Sequence, residues 1–205
     1  MKSTSPQNHE QSILHLAQAG GFLRAGDLLK QDIPTNTLTR MVAAGKLQRV
    51  SRGVYCLPDQ AISEQRSLAE AAVRVPQGVI CLLSALQFHE IGTQAPFEVW
   101  LAMPNKLVTP KLDHPAIRAV RMSDAALSAG KEIVNIDGVS VPIFNAAKTI
   151  ADCFKYRNKI GLDVALEALR EAWREQKVSI DSLWHYATIN RVASVMRPYL
   201  EAITA

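Results

Sequence analysis

The sequence predicts an α+β fold in two parts: a small N-terminal domain of three helices and a hairpin, then a mixed α/β domain ending in a helical bundle. Three observations carry this reading. The 205 residues exceed one small domain and fall short of three. Apolar residues make up 48% and charged residues 20%, the balance of an ordinary globular chain. Short helical patterns with Gly and Pro stops lead into a β-prone hairpin, and strand patterns followed by helical ones fill the remainder.

The first seven residues are small and polar and read as a frayed start. From Asn8, the apolar residues Ile13, Leu14, Leu16 and Ala17 recur at helical spacing until Gly20 and Gly21 stop the helix. A second helix spans residues 24–31, with Leu28 and Leu29 directed inward, and ends at Ile33-Pro34. A third opens near Thr35 or Asn36, carries Leu38, Met41 and Val42 as its apolar stripe, and stops at Gly45. Residues 47–50 and 54–57 are β-prone and flank Ser51-Arg52-Gly53, the pattern of a hairpin. Three helices and then a hairpin is the order of a winged helix-turn-helix, with the second-to-third helix link as its turn.

Residues 60–75 read as a linker helix with Leu68, Ala69, Ala72 and Val73 on one face. An apolar run over 79–83 precedes a helical stretch at 84–89. Residues 97–102 read as a strand by β-branched and aromatic content, with weaker strands at 117–121 and 132–136. Asp137-Gly138 marks a tight turn into a strand over 139–144. Helices are expected at 146–155, 162–176, 181–189 and 192–203. The domains are accordingly placed at 1–58, with a linker helix over 59–78, and at 79–205.

Charge divides the chain in the same place. Residues 1–58 hold seven basic and three acidic side chains, whereas 59–205 hold sixteen of each, so the whole net charge of +4 lies in the first domain. Such an asymmetry points to a polyanionic partner. The third helix offers Thr35, Asn36, Thr37, Thr39 and Arg40. Asn and Arg suit the edges of adenine and guanine, and Thr suits phosphates and the thymine methyl. Lys46, Arg49 and Arg52 lie on and around the hairpin as candidate phosphate contacts. The expected partner is double-stranded DNA.

Catalytic signals are missing. The sequence has no Gly-rich phosphate loop, no HExxH and no GxSxG, so no catalytic residue, cofactor or metal is expected. Cys56, Cys81 and Cys153 are scattered in apolar runs and read as reduced core thiols. His15 and His89 read as core or surface residues, and Trp173 and Trp184 as core. Lys148, Asp152, Lys155 and Arg157 read as the solvated face of an amphipathic helix rather than an anion site. Without a membrane span or secretion signal, a cytoplasmic location is expected.

The run GGFLRAGDLLKQDIPTNTLTRMVAAGKLQRVSRGVYCLPD resembles the N-terminal winged domain of the AbiEi antitoxins of bacterial type IV toxin–antitoxin and abortive-infection systems. The stretch IDGVSVPIFNAAKTIADCFKYRNKIGLDVALEALREA, together with the remaining residues to the C-terminus, is similar to that family's C-terminal domain. The resemblance implies that the winged domain represses its own operon at promoter inverted repeats. It also implies that the C-terminal domain counteracts a nucleotidyltransferase-like toxin, without a stable complex being required. Two other readings stay open: a winged-helix regulator with a ligand-binding or dimerising C-terminal domain and no toxin, and an enzyme fused to a DNA-binding module.

Overall fold

The computed structural model describes residues 6–51, 53–58, 64–108 and 114–204. Its contacts divide the chain into two compact units, Met1–Ala69 with Asn135–Ser140, and Glu70–Val134 with Val141–Ala205. The division at 69/70 falls inside a helix, Arg66–Arg74, which covers part of the expected linker helix. Residues 59–63 of that linker lie outside the described residues.

The first unit begins with α1 (Pro6–Gly20), β1 (Phe22–Arg24), α2 (Ala25–Leu29) and α3 (Thr35–Ala43), followed by β2 (Gln48–Ser51) and β3 (Val54–Cys56). Ile13 and Ala17 of α1 meet Leu28, Ile33, Leu38, Met41 and Leu47 in one buried cluster. The expected apolar stripes therefore do face one core. Leu29 does not join it and is 55% exposed, because α2 is little more than one turn and buries only Leu28. The sheet has three strands where two were expected. β3 lies between β1 and β2, antiparallel to both, with Cys56 opposite Phe22 on one side and Gln48 on the other.

Two helix ends have the same local geometry. At the end of α2 the Asp32 N–H donates to the Leu29 carbonyl and the Ile33 N–H to that of Leu28, with Asp32 at φ 58°. At the end of α3, Gly45 donates to Val42 and Lys46 to Met41. Both are Schellman closures, which satisfy orphan carbonyls and return the chain across the helix end. The second pins Lys46 at the C-terminal end of α3.

The second unit takes in most of α4 (Arg66–Arg74), then β4 (Val79–Ile80), α5 (Leu82–Phe88), β5 (Val99–Pro104), β6 (Ile117–Met122) and α6 (Asp124–Ser128). After these come β7 (Lys131–Ile136) and β8 (Val139–Phe144), whose joined ends Asn135–Ser140 are grouped with the first unit, and then α7 (Ala146–Lys155), α8 (Arg157–Ile160), α9 (Leu162–Arg174), α10 (Ile180–Ile189) and α11 (Ala193–Thr204). The sheet order is β6-β5-β4-β8-β7. β4 runs antiparallel to β5 and parallel to β8, and β5 runs parallel to β6. Asp137 and Gly138 both take positive φ, 49° and 76°, as a two-residue hairpin turn of the I′ kind requires. Phe97, expected to open a strand, is instead 91% exposed, and β5 starts two residues later. Trp184 is half-buried and packs against the core, Trp173 is half-buried outside that cluster, and His15 is exposed. His89 is half-buried and donates from Nε2 to the Phe144 carbonyl at 2.7 Å. All three cysteines are free and buried, as expected.

The largest departure from expectation is in α7. The sequence places Lys148 and Asp152 on a solvated face, yet both side chains are 0% exposed. The cause is tertiary: α7 packs against α5, α9 and α10, leaving no face for water. The Lys148 ammonium lies 2.6 Å from both Asp152 oxygens, and Asn190 Nδ2 donates to Asp152 Oδ1 at 2.7 Å. The ammonium also stands 4.2 Å from the Phe144 ring centre. Burial pushes the Asp152 carboxyl above the usual range and the Lys148 amine below it, against their mutual attraction.

Candidate nucleic-acid interface

The polar side of α3 follows from helix geometry. At about 100° per residue, positions 35, 36, 39 and 40 share an arc of about 140°. Thr35, Asn36, Thr39 and Arg40 are all exposed on it. Leu38 and Met41 fall on the opposite side and are buried. Thr37 goes with them at 4% exposure, so the structure does not place it among the proposed readers. Its hydroxyl lies 3.5 Å from Asn36 Oδ1.

The cations stand nearby. Lys46, fixed by the Schellman closure of α3, is exposed, and so is Arg49 on β2 opposite Tyr55. Arg52 lies outside the described residues. The structure thus brings Thr35, Asn36, Thr39, Arg40 and Lys46 together on α3 and its end, with Arg49 on the adjoining strand.

One member of this surface is not marked by any sequence pattern. Glu10 of α1 places Oε1 3.2 Å from Arg40 Nη2 and Oε2 2.8 Å from Lys46 Nζ. One carboxylate thereby engages two cations from α3 and its closing turn. The hydrogen bond from Lys46 holds the Glu10 carboxyl below its ordinary range, with Arg40 adding to the effect. Glu10 stands one turn before Ile13, whose side chain is fully buried against α3, and that packing holds the carboxylate within reach of both cations. No sequence signal pairs residues 30 and 36 positions apart.

Other surfaces offer less. A shallow depression of about 590 Å³ is lined by Trp173, Arg174, Gln176, Ser179 and Asp181, and the Ser179 side chain is already engaged in the capping box of α10. Among the described residues no group of three or more His, Cys, Asp or Glu side chains could hold a metal. No described helix is long and apolar enough to cross a membrane.

Comparison with known proteins bears on the same segment. Residues 11–58 match the family model described as "Transcriptional regulator, AbiEi antitoxin". The chain has no match among curated proteins. Among solved structures it is similar to the RV2827C protein from Mycobacterium tuberculosis, with a TM-score of 0.56 and 13% sequence identity over 98% of this chain and 82% of that one. At that identity the likeness is one of fold alone. Residues 11–58, the segment that holds α3 and its neighbouring cations, thus share their sequence pattern with the AbiEi antitoxin family of transcriptional regulators.

Proposed function

We propose that the first unit is a winged helix-turn-helix that binds double-stranded DNA, and that the chain is an antitoxin repressing its own operon. In this reading α2 and α3 form the helix-turn-helix and β2–β3 the wing, in the order such domains use to set a recognition helix into the major groove. The observation that carries it is the exposed arc of Thr35, Asn36, Thr39 and Arg40, continued by Lys46 and Arg49, within the segment that matches the family. Pro34 precedes α3 without a side-chain cap, and a helix N-terminus of that kind suits a phosphate. Asn36 and Arg40 read base edges, while Lys46, Arg49 and Arg52 hold the backbone. The second unit supplies the counteraction of a nucleotidyltransferase-like toxin encoded beside it.

The test titrates the full chain against a labelled duplex from upstream of its own reading frame and a scrambled duplex of the same length. Arg40→Ala should shrink the ratio of the two affinities by about five- to 150-fold, since a lost base contact removes ~1–3 kcal/mol of discrimination. Lys46→Ala should weaken both duplexes alike. An unchanged ratio for Asn36→Ala and Arg40→Ala would remove α3 from sequence reading. In cells, the Asn36→Ala/Arg40→Ala chain should derepress the promoter and still rescue growth against the toxin. Loss of both together would overturn the division of labour.

A further inference from the structure

Glu10 is an acidic side chain set in the middle of a surface otherwise suited to a polyanion. Its carboxylate is 24% exposed, whereas the cations it binds, Arg40 and Lys46, are 55% and 49% exposed. The carboxylate is therefore the more covered partner of both ion pairs and occupies one donor of each. A phosphate approaching this surface meets two positive charges already half-neutralised by a third group.

From this geometry we infer that Glu10 is a built-in competitor of phosphate, an affinity-limiting residue that weakens the grip of Arg40 and Lys46 on DNA of any sequence. The inference rests on the DNA-binding reading above. Its physical basis is simple. Binding that neutralises phosphates with Lys and Arg is independent of sequence and scales with the number of cations supplied. A carboxylate that shares two of those cations subtracts about one from that number. On DNA without the operator Arg40 has no base edge to read and serves as a second phosphate cation beside Lys46, whereas Asn36 has no ion pair with Glu10 and its base contact is not reduced, so the carboxylate lowers the background against which specific binding competes. Arg40 and Lys46 come from α3 and its closing turn and Glu10 from α1, so the subtraction is set by tertiary packing and not by local sequence.

The experiment measures binding of the full chain to a random-sequence duplex of about 20 base pairs across a salt series. Glu10→Gln, nearly isosteric and neutral, should bind roughly three- to tenfold tighter at ~0.1 M salt, with the slope of log affinity against log salt steeper by about one. In a background that carries both Arg40→Ala and Lys46→Ala the gain from Glu10→Gln should largely vanish, because neither cation remains to be released. Thermal melting by circular dichroism reports folding, and Glu10→Ser is the second neutral variant if the amide does not fold. Unchanged or weaker binding by a folded neutral variant overturns the inference, as does a gain that persists undiminished when both Arg40 and Lys46 are absent. Wild-type chain that binds no duplex at any salt overturns the DNA reading itself, and this inference with it.

Discussion

Glu10 with Arg40 and Lys46 in the first region, and Asp152 with Lys148 and Asn190 in the second, share one pattern in two environments. In each, a single carboxylate receives two donors from other points of the chain. The first set is partly in water, while Lys148 and Asp152 are sealed at 0% exposure. Water makes the first set exchangeable: its cations can leave the carboxylate for another anion at small cost, because solvent screens the parting. The second set has no such alternative, since an ammonium or carboxylate left alone beside the Phe144 ring in the buried core would be without solvation. The difference teaches that solvent access, more than residue type, decides whether an ion pair serves a partner or the fold.

The sharpest way to break this comparison is Asp152→Ala. It strands the Lys148 ammonium in the core and should cost about 3–5 kcal/mol by urea denaturation. A loss under ~1 kcal/mol would mean that the Lys148 charge reaches water after all. Gly130→Ala is the next largest. Gly130 has φ +66°, and an added Cβ would stand 2.7 Å from Lys148 Cβ, so the Lys148 stem has no room to yield. The expected loss is roughly 1–3 kcal/mol, and a neutral result would show the packing over Lys148 to be loose.

On the exposed side, Lys46→Ala should alter stability by no more than ~1 kcal/mol while lowering the salt slope of duplex binding by about one. If its folding cost approached that of Asp152→Ala, the two regions would not differ as described. The smallest effect concerns pH. Lys46 holds the Glu10 carboxyl below its usual value, so the contribution of that carboxylate is complete above the unfolded-state value and is lost as pH falls through the lower folded-state value. The melting-temperature difference between wild type and Glu10→Gln should stay flat from about pH 5 to 8 and shrink only below about pH 4. A difference that changes between pH 6 and 8 would assign it to another group.

The part of this protein written in local sequence is the part governed by local rules. Gly45 closes α3, Asp137-Gly138 makes its hairpin, and the spacing of Leu38 and Met41 leaves Thr35, Asn36, Thr39 and Arg40 outside. These depend on backbone conformation and a 3.6-residue period, which neighbouring residues set among themselves. Thr37 departs from its expected place for a related reason: a threonine is polar enough to read as exposed, while its angle on α3 carries it to the buried side. β1 has no sequence signature because three residues, Phe22–Arg24, are too few to show an alternating period. They are a strand only through pairing with Val54–Cys56, far along the chain.

The burial of α7 had a faint signal. Apart from Lys148, Thr149, Asp152 and Lys155, that helix is apolar, close to the pattern of a fully enclosed helix. The i, i+4 spacing of Lys148 and Asp152 suggests a surface pair, because most such pairs are on surfaces. Sequence by itself determined the longer helices and the Asp137-Gly138 turn but neither α6 nor α8, and it determined the concentration of net positive charge in the first quarter and the polar arc of α3. Only the tertiary structure decided which charges are dry and which are wet. It brought α5, α9 and α10 around Lys148 and carried Glu10 to Arg40 and Lys46. The reason is that the environment of a charge is set by what packs over it, and those contacts join residues tens of positions apart along the chain.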